Sequence, residues 1–309
     1  MIDLRRLQVL RAVHQHSTVT AAAGALHLTP SAVSHSLREL AKELKTPLIE
    51  PHGRGIRLTA AALLLVDHAD ALLARWEEAR TALESLRTGE CGALRMCGFS
   101  TVVTRLLAPA AGLLRRDHPD LDVQVTECES GAGFDLLLSG DADLLLLTPT
   151  DSGPSPSDPR FDQRTLMAEP LDLLVAADHP LTARARLALA DAGDEPWILP
   201  VPGTCDHHHR VMVACALAGF TPHVAHHATE WSAVAALVSH GLGVSLVPRI
   251  AALPADRAIT RLPLTEEPVP SRQIMSCVRR GSREHPLIQH GLRALQDVID
   301  SSAIGAAAA

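Results

Sequence analysis

The sequence predicts an α/β protein whose N-terminal part is entirely helical, and three patterns support this prediction. Apolar side chains recur at helical spacing within residues 4–44, and a second such pattern runs without a break over residues 58–86. From residue 92 onward, strand-like and helix-like stretches alternate, as they do when helices cover both faces of a sheet. The 309 residues are enough for two or three domains, each with its own core.

The first helix is predicted from apolar residues three apart, and it would close a small core. The next stretch, 19–57, has the order helix, tight turn, second helix and basic hairpin. Thr29 can cap the second helix, and Pro30 suits its first position because the N–H it lacks would be unpaired there. The predicted buried positions of the two outer helices are Leu4, Leu7, Leu10 and Val13, then Val33, Leu37, Leu40 and Leu44.

The opposite face of the second helix carries polar side chains suited to base edges in the major groove of DNA. Short hydrogen-bonding groups come first and a cation follows, which predicts DNA contacts from Thr29, Ser31, Ser34, His35 and Arg38. The glycine-bent hairpin would act as a wing that touches flanking phosphates through His52, Arg54 and Arg57. Together these pieces predict a winged helix-turn-helix.

Charge is unevenly distributed along the chain, whose net charge is −7. Residues 1–58 carry eight Lys or Arg against four Asp or Glu, or +4, whereas residues 89–309 carry 17 against 26, or −9. Attraction to a polyanion depends on the local potential within a Debye length of roughly 10 Å. The acidic remainder of the chain therefore does not exclude DNA binding by the basic part.

At these N-terminal residues the chain resembles the LysR-type transcriptional regulators. The matching pattern is Thr20-x-Ala22-Ala23-x-x-Leu26-x-Leu28-Thr29-x-Ser31-Ala32-Val33-Ser34, then Leu37-x-x-Leu40, Leu44-x-x-Pro47-Leu48 and Arg57-Leu58-Thr59. Pro30 and Ser31 stand where many members place a glutamine, so no base preference carries over. The resemblance implies a bacterial regulator that binds double-stranded promoter DNA as a homodimer or homotetramer.

The long helix after the wing carries a heptad seam over about four heptads and would extend roughly 45 Å. We interpret it as a dimerising linker helix, which the resemblance supports. The alternative is a helix packed along its own effector domain. The seam residues are Leu58, Ala62, Leu65, Ala69, Leu72, Trp76, Ala79, Leu83 and Leu86.

The alternating C-terminal part predicts a parallel sheet with helices on both faces. The predicted strands are Arg95–Phe99, Asp122–Glu127, Ala142–Leu147, Leu171–Ala177, Trp197–Pro200, His223–Ala228, Val244–Pro248 and Gln273–Arg280. The predicted helices are Val102–Arg116, Phe134–Ser139, His209–Ala218, Trp231–His240 and Pro286–Ile299.

By resemblance this part is an effector domain of two Rossmann-like subdomains, similar to periplasmic binding proteins, and the chain crosses its hinge twice. The predicted limits are 1–58 for the winged helix-turn-helix, 59–88 for the linker helix, 91–165 with 268–300 for subdomain I, 166–267 for subdomain II and 301–309 for a disordered tail.

The first candidate ligand site is the cleft that the resemblance places between the two subdomains. Residues that follow strands and precede helices would line it, because unpaired N–H groups at helix N-termini attract anions. The alternative is that they are ordinary helix caps. The predicted effector-binding residues are Ser100, Thr101, Thr148, Gly203, Thr204, Thr229 and Glu230. Glu230 argues against a purely anionic ligand, and the chain has no tyrosine for an aromatic cage.

Two alternative sensor functions use the same region. Imidazoles and a thiolate in the run Cys205 to His209 are chemically suitable metal ligands, although their spacing is not a recognised one. Cys205 and Cys215 could instead sense oxidants, as cysteine pairs do in peroxide-sensing members of the family, if a neighbouring cation lowered a thiol pKa. We favour a metabolite effector and predict no cofactor or metal.

Other classes of protein fit the sequence poorly. No nucleophile elbow, phosphate-cradling glycine loop or spaced carboxylate pair supports an enzyme. No apolar run approaches the ~20 residues of a membrane span, and no apolar signal segment follows the N-terminus, so we expect a cytoplasmic protein with no membrane partner. Six cysteines without CxxC pairs agree with that compartment. A solute-binding protein without regulatory DNA binding is the most distant alternative.

Overall fold

The computed structural model describes residues 3–52, 55–86, 92–150 and 153–301. The helices are α1 Leu4–His16, α2 Val19–Ala25, α3 Pro30–Leu44, α4 Ala60–Ser85, α5 Ser100–Val102, α6 Ala108–Asp117, α7 Ser130–Ser139, α8 Asp206–Leu217, α9 Trp231–Ser239 and α10 Pro286–Ser301. A π-helical segment, Val103–Leu107, joins α5 to α6, and short 3-10 turns lie at Pro180–Ala183 and Leu189–Ala192. The strands are β1 Ile49–His52, β2 Gly55–Leu58, β3 Gly92–Gly98, β4 Leu121–Glu127, β5 Leu144–Leu147, β6 Phe161–Ala176, β7 Pro196–Leu199, β8 His223–His227, β9 Ser245–Pro248, β10 Ile259–Leu262 and β11 Ser271–Arg279.

An N-terminal head is formed by α1 to α3, the β1–β2 hairpin and the first turns of α4, which enclose one apolar core. On α3, Val33, Leu37 and Leu40 are buried as predicted, and Leu44 is half-buried. The Thr29 hydroxyl caps α3 by accepting from the backbone N–H of Ala32 at 3.2 Å. The hairpin strands pair antiparallel, which is the predicted wing.

The seam predicted on α4 is divided between two environments. Ala62 and Ala69 are buried in the core of the head. Four later seam residues are exposed, at 51% for Leu72, 52% for Trp76, 61% for Leu83 and 80% for Leu86.

The same half of α4 also packs on its own effector domain through a different face. Thr81 is buried and donates a hydrogen bond to the Gly281 carbonyl at 3.2 Å, and Glu77 pairs with Arg279 at 3.4 Å. The alternative of a helix packed along its own effector domain is therefore correct for one face, while the later seam residues stay exposed on another.

The effector domain is built on a mixed sheet with the strand order β10-β6-β11-β5-β3-β4, and β9 also pairs with β6. β3 runs parallel to β4 and to β5 as predicted. The prediction of an all-parallel sheet is wrong, because β11 runs antiparallel to β5 and β6, and β9 and β10 run antiparallel to β6. A separate pair, β7 and β8, is parallel.

Two long strands carry the chain between the two halves of this domain. β6 begins at Phe161, ten residues earlier than predicted; its first part pairs with β11 and its last part with β9 and β10. Apolar clusters lie on each side of this crossing, one around β3 and α10 and another around β7 and α8. β11 then returns the chain beside the first part of β6, so the chain passes between the two halves twice. The predicted limits between domains stay a prediction, and residues 87–91 and 302–309 lie outside the described residues.

The head contacts the effector domain through α1 and α7. The Gln15 side-chain amide donates to the Asp135 carboxylate at 3.0 Å and accepts from the Arg160 guanidinium at 2.8 Å. Among the described residues, no helix is both long and apolar enough to cross a membrane.

Candidate DNA-binding surface and effector cleft

The outer face of α3 presents the side chains that the sequence predicted for DNA. Ser31, His35 and Arg38 are exposed, and Ser34 is half-buried. The Arg38 Nε donates to the Ser34 carbonyl at 3.3 Å, and Arg38 makes no ion pair within the described ranges. Its guanidinium therefore keeps most of its donors free for a polyanion.

Two hydroxyls at the N-terminus of α3 are in hydrogen-bond contact within the protein. The Thr29 hydroxyl lies 2.9 Å from that of Ser31 while it caps the helix. Thr29 thus positions the first turn, and its direct contact with DNA stays a prediction.

The wing holds one of its predicted cations in an ion pair. Arg57 lies opposite Glu50 in the hairpin, and its Nη2 is 2.6 Å from the Glu50 carboxylate, with both side chains exposed. His52 is described only in its backbone, and the predicted contact from Arg54 lies outside the described residues.

Residues from both halves of the effector domain line a cleft of about 120 Å³ at the crossing strands. Five of the predicted effector residues meet there: Ser100, Thr101, Thr148, Thr229 and Glu230. The other two, Gly203 and Thr204, line an adjoining void of about 350 Å³. The structure therefore brings the predicted segments together at one opening.

A buried ion pair supports the floor of this cleft. Arg272 on β11 faces Glu169 on β6, and its Nε lies 2.6 Å from the carboxylate. Arg272 also donates to the Thr101 hydroxyl at 2.9 Å and lies over the Phe99 ring at 5.0 Å. The second Glu169 oxygen accepts from the Ile250 backbone N–H at 2.7 Å. These bonds connect the two crossing strands to the start of α5.

A second arginine at the cleft makes no direct ion pair with any described residue, although the charges of Asp206 and Glu169 act on it. Arg210 on α8 lines both the cleft and a wider neighbouring groove of about 790 Å³, and it makes no ion pair in the described part of the chain. Burial lowers the pKa of Arg210, and the positive charge of Arg272 acts in the same direction. A cation that is partly desolvated and unpaired is suited to an anionic group of a ligand.

His207 contributes a neutral imidazole to the same cleft. Its Nε2 lies 2.9 Å from the Leu246 carbonyl, so Nε2 carries the proton, and its Nδ1 is buried with no hydrogen-bond partner among the described residues. Burial lowers the pKa of His207 to about 4. The free Nδ1 is therefore a hydrogen-bond acceptor for a ligand donor.

Carboxylates lie around the opening and limit what can bind. Glu127, Glu129, Asp206 and Glu230 line the cleft. Burial and the charges of Asp206 and Glu127 raise the pKa of Glu129. The cleft is consequently suited to a polar ligand with both donor and acceptor groups.

Arg272, Arg210 and His207 were not among the effector residues predicted from the sequence. Arg210 follows Asp206 by one helical turn, and a single acid–base pair at that spacing is a weak signal of a ligand site. Arg272 has its carboxylate partner 103 residues away on another strand. Only the pairing of β6 with β11 could have located it.

The two sensor alternatives receive little support from the geometry. His207 is directed to the Leu246 carbonyl and His208 to that of Pro200, and no three potential ligands converge in the described ranges. Cys215 is fully buried in α8, ten residues after Cys205 and about 15 Å along the helix axis. Burial raises the pKa of Cys215 to about 12. A disulfide between these two cysteines would require α8 to unwind.

Comparisons with known proteins agree with this architecture. The LysR substrate binding domain matches residues 87–300, and the bacterial regulatory helix-turn-helix of the lysR family matches residues 4–63. The regulator AlsR of Bacillus subtilis is 25% identical over 290 residues, which cover 94% of each chain. A hydrogen peroxide-inducible genes activator of Dickeya chrysanthemi is 28% identical over 284 residues, 91% of this chain and 90% of that protein.

Solved structures show the same fold. A full-length OxyR variant from Pseudomonas aeruginosa superposes with a TM-score of 0.65 at 22% identity and covers 96% of this chain and 95% of its own. Full-length BenM superposes with a TM-score of 0.58 at 22% identity, with 97% of both chains covered.

A helix-turn-helix head joined by a long helix to a hinged binding domain defines a ligand-responsive transcriptional regulator. This chain belongs to the LysR family of bacterial transcriptional regulators.

Proposed function

We propose that this LysR-family chain binds promoter DNA through α3 and the wing, and that a small polar molecule in the cleft changes that binding. The observation that carries the proposal is the division of α3 into two faces. Val33, Leu37 and Leu40 are buried in the head, while His35 and Arg38 are exposed with no carboxylate held against them in the described chain. A helix of this kind can enter the major groove without unfolding the head.

Self-association is the second part of the proposal. The exposed residues Leu72, Trp76, Leu83 and Leu86 lie on the predicted seam of α4. Large apolar side chains grouped on one helix are suited to burial against a partner. We therefore infer a homodimer, or a homotetramer assembled from two dimers, in which two heads address two half-sites.

The effector site is the cleft between the subdomains. Arg210 would receive an anionic group of the effector, and the His207 Nδ1 would accept a hydrogen bond from it. The buried pair of Arg272 and Glu169 would hold the crossing strands while the subdomains change their separation. For this to alter DNA binding, the effector must bind the two arrangements with different affinity.

The chain would act by binding rather than by catalysis, since its relatives are transcriptional regulators. Promoter binding also requires access to the chromosome, which agrees with the predicted cytoplasmic location.

The test is fluorescence anisotropy with two labelled duplexes of equal length. One carries the sequence immediately upstream of the coding region, and the other carries the same bases in scrambled order. We expect tighter binding to the upstream duplex, with an affinity that falls steeply as salt is raised. Equal affinity for both duplexes over the whole salt range would contradict the proposal.

A further inference from the structure

Two cysteines of subdomain I lie side by side at the edge of the sheet. Cys97 is in β3 and is fully buried, and Cys128 directly follows β4 and is half-buried. The Cys128 backbone N–H donates to the Gly98 carbonyl at 2.9 Å, which fixes the two strands to each other at this point. Both side chains pack in the cluster that contains Phe134 and Phe161.

The two thiols have different acid strengths because they interact. The interaction between the two thiols is the largest influence on both pKa values: it lowers the pKa of Cys128 and raises the pKa of Cys97, whose burial acts in the same direction. Cys128 is therefore the more acidic of the two thiols. A partly accessible thiol of lowered pKa beside a second thiol is the arrangement of an attacking and a resolving cysteine.

The other described cysteines lack these features. Cys215 and Cys277 are fully buried, and burial raises the pKa of both. Cys205 is half-exposed but lies at the opposite end of α8 from Cys215.

We propose that Cys97 and Cys128 form a reversible dithiol–disulfide site that a hydroperoxide oxidises. The Cys128 thiolate attacks the terminal peroxide oxygen, the O–O bond breaks, and Cys128 becomes a sulfenic acid while the departing hydroxide or alkoxide takes up a proton. The Cys97 sulfur then attacks the Cys128 sulfur, forms the disulfide and releases water. Overall, two thiols and one hydroperoxide give one disulfide, one water and one further water or alcohol.

The position of the pair connects it to the head. Cys128 is two residues before the start of α7, and Asp135 on α7 accepts the hydrogen bond from Gln15 of the head. A disulfide holds two sulfurs about 2 Å apart, much closer than unbonded thiols lie. Its formation would pull the turn before α7 toward β3 and displace the surface on which the head rests. This part rests on the proposed function, because its readout is DNA binding.

The chemical step can be tested without DNA. Reduced full-length protein is treated with increasing equivalents of hydrogen peroxide, its remaining thiols are alkylated, and it is digested with trypsin. Arginines separate the six cysteines, so each one is released in its own peptide. We expect the 97–128 linked peptide to be the principal oxidised product and to disappear after dithiothreitol. The proposal would be overturned if Cys97 and Cys128 both stayed fully alkylated under conditions that oxidise other cysteines, or at every peroxide concentration tested.

Variants distinguish the attacking cysteine from the resolving one. Cys97→Ala should leave a sulfenic acid on Cys128 that dimedone traps, and Cys128→Ser should abolish both products. Cys215→Ser is the matched control and should oxidise as the wild type does. If a substitution in the core prevents folding, the peptide map of the wild-type protein still shows whether the disulfide between Cys97 and Cys128 forms.

The coupling to the head is measured by anisotropy with the upstream duplex before and after oxidation. We expect the affinity to change by about fivefold or more and to recover after reduction, with no change in Cys128→Ser. A disulfide that leaves the affinity unchanged would overturn the coupling. Reduced protein that binds neither duplex would contradict the proposed function, while the peptide map would still report on the thiol site.

Discussion

The head and the effector cleft differ in the burial and pairing of their arginines. Arg38 on α3 is exposed and has no carboxylate partner in the described chain, whereas Arg272 is 7% exposed and pairs with a Glu169 side chain that is 1% exposed. Water solvates the first charge at no structural cost, so it stays available for an external polyanion. The second charge is deprived of water and needs a counterion built into the fold.

The comparison shows how placement decides the use of a cation. An exposed arginine is available for recognition, and a paired, buried one fixes structure. Arg57 and Arg210 lie between these cases, since Arg57 is exposed but paired and Arg210 is partly buried but unpaired within the described residues.

Breaking the buried pair should cost the most stability. Glu169→Gln keeps the size of the side chain but leaves the Arg272 charge without its carboxylate, and we expect the free energy of unfolding to fall by about 3–5 kcal/mol. Urea denaturation measures this change. The matched control is Glu50→Gln, which removes an exposed partner and should change stability by at most about 1 kcal/mol. Equal losses in both variants would mean that burial does not distinguish the two pairs.

Removing the free cation of the head should have the next largest effect. Arg38→Ala should weaken binding to the upstream duplex by about 1–3 kcal/mol and binding to the scrambled duplex by less. Anisotropy at fixed salt gives both affinities. Arg115→Ala on α6 removes an exposed arginine far along the chain and should leave them unchanged. The same loss on both duplexes would show that Arg38 contacts phosphate rather than bases.

Freeing Arg57 from its ion pair should strengthen DNA binding, whereas removing Arg38 should weaken it. Glu50→Gln frees Arg57 from its 2.6 Å ion pair and removes a negative charge from the wing, so we expect affinity for both duplexes to rise by about 0.2–1 kcal/mol. Arg57→Ala should lower both affinities by a similar amount. If Glu50→Gln weakens binding instead, the ion pair positions the wing and its loss disorders it.

Arg210 should contribute least to stability. Arg210→Met removes a partly desolvated charge that has no ion-pair partner in the described chain, so we expect the free energy of unfolding to stay the same or to rise by up to about 1 kcal/mol. Urea denaturation of Arg210→Met and of Glu169→Gln, measured side by side, gives the difference between their free energies of unfolding. A loss above about 1 kcal/mol would assign Arg210 a structural role and remove the reason to place it at the effector.

Local patterns were sufficient to predict the head. The burial of Val33, Leu37 and Leu40, the Thr29 cap and the hairpin all depend on residues close together in the chain. The seam of α4 could be recognised for the same reason. Periodicity could not show which surface covers each part of it, because the core of the head and a partner helix require the same apolar spacing.

Long-range pairing explains what the sequence could not provide. The first half of β6 carries charged residues that do not alternate with apolar ones, and its partners on β11 lie more than a hundred residues later. That pairing makes the sheet mixed and brings Glu169 to Arg272. The hydroxyls of the cleft were predicted because they follow strands, whereas its charged groups depend on the register of two distant strands.

The most direct test of the central claim is a hydroxyl-radical footprint of the wild-type protein on the upstream duplex. The account predicts protection in two patches on one face of the DNA, centred one helical turn of about 10 base pairs or a multiple of it apart, as expected for two α3 helices related by a dimer. The protection should disappear at high salt and be absent from the scrambled duplex. Uniform protection of any sequence, or no protection at low salt, would contradict a sequence-reading head.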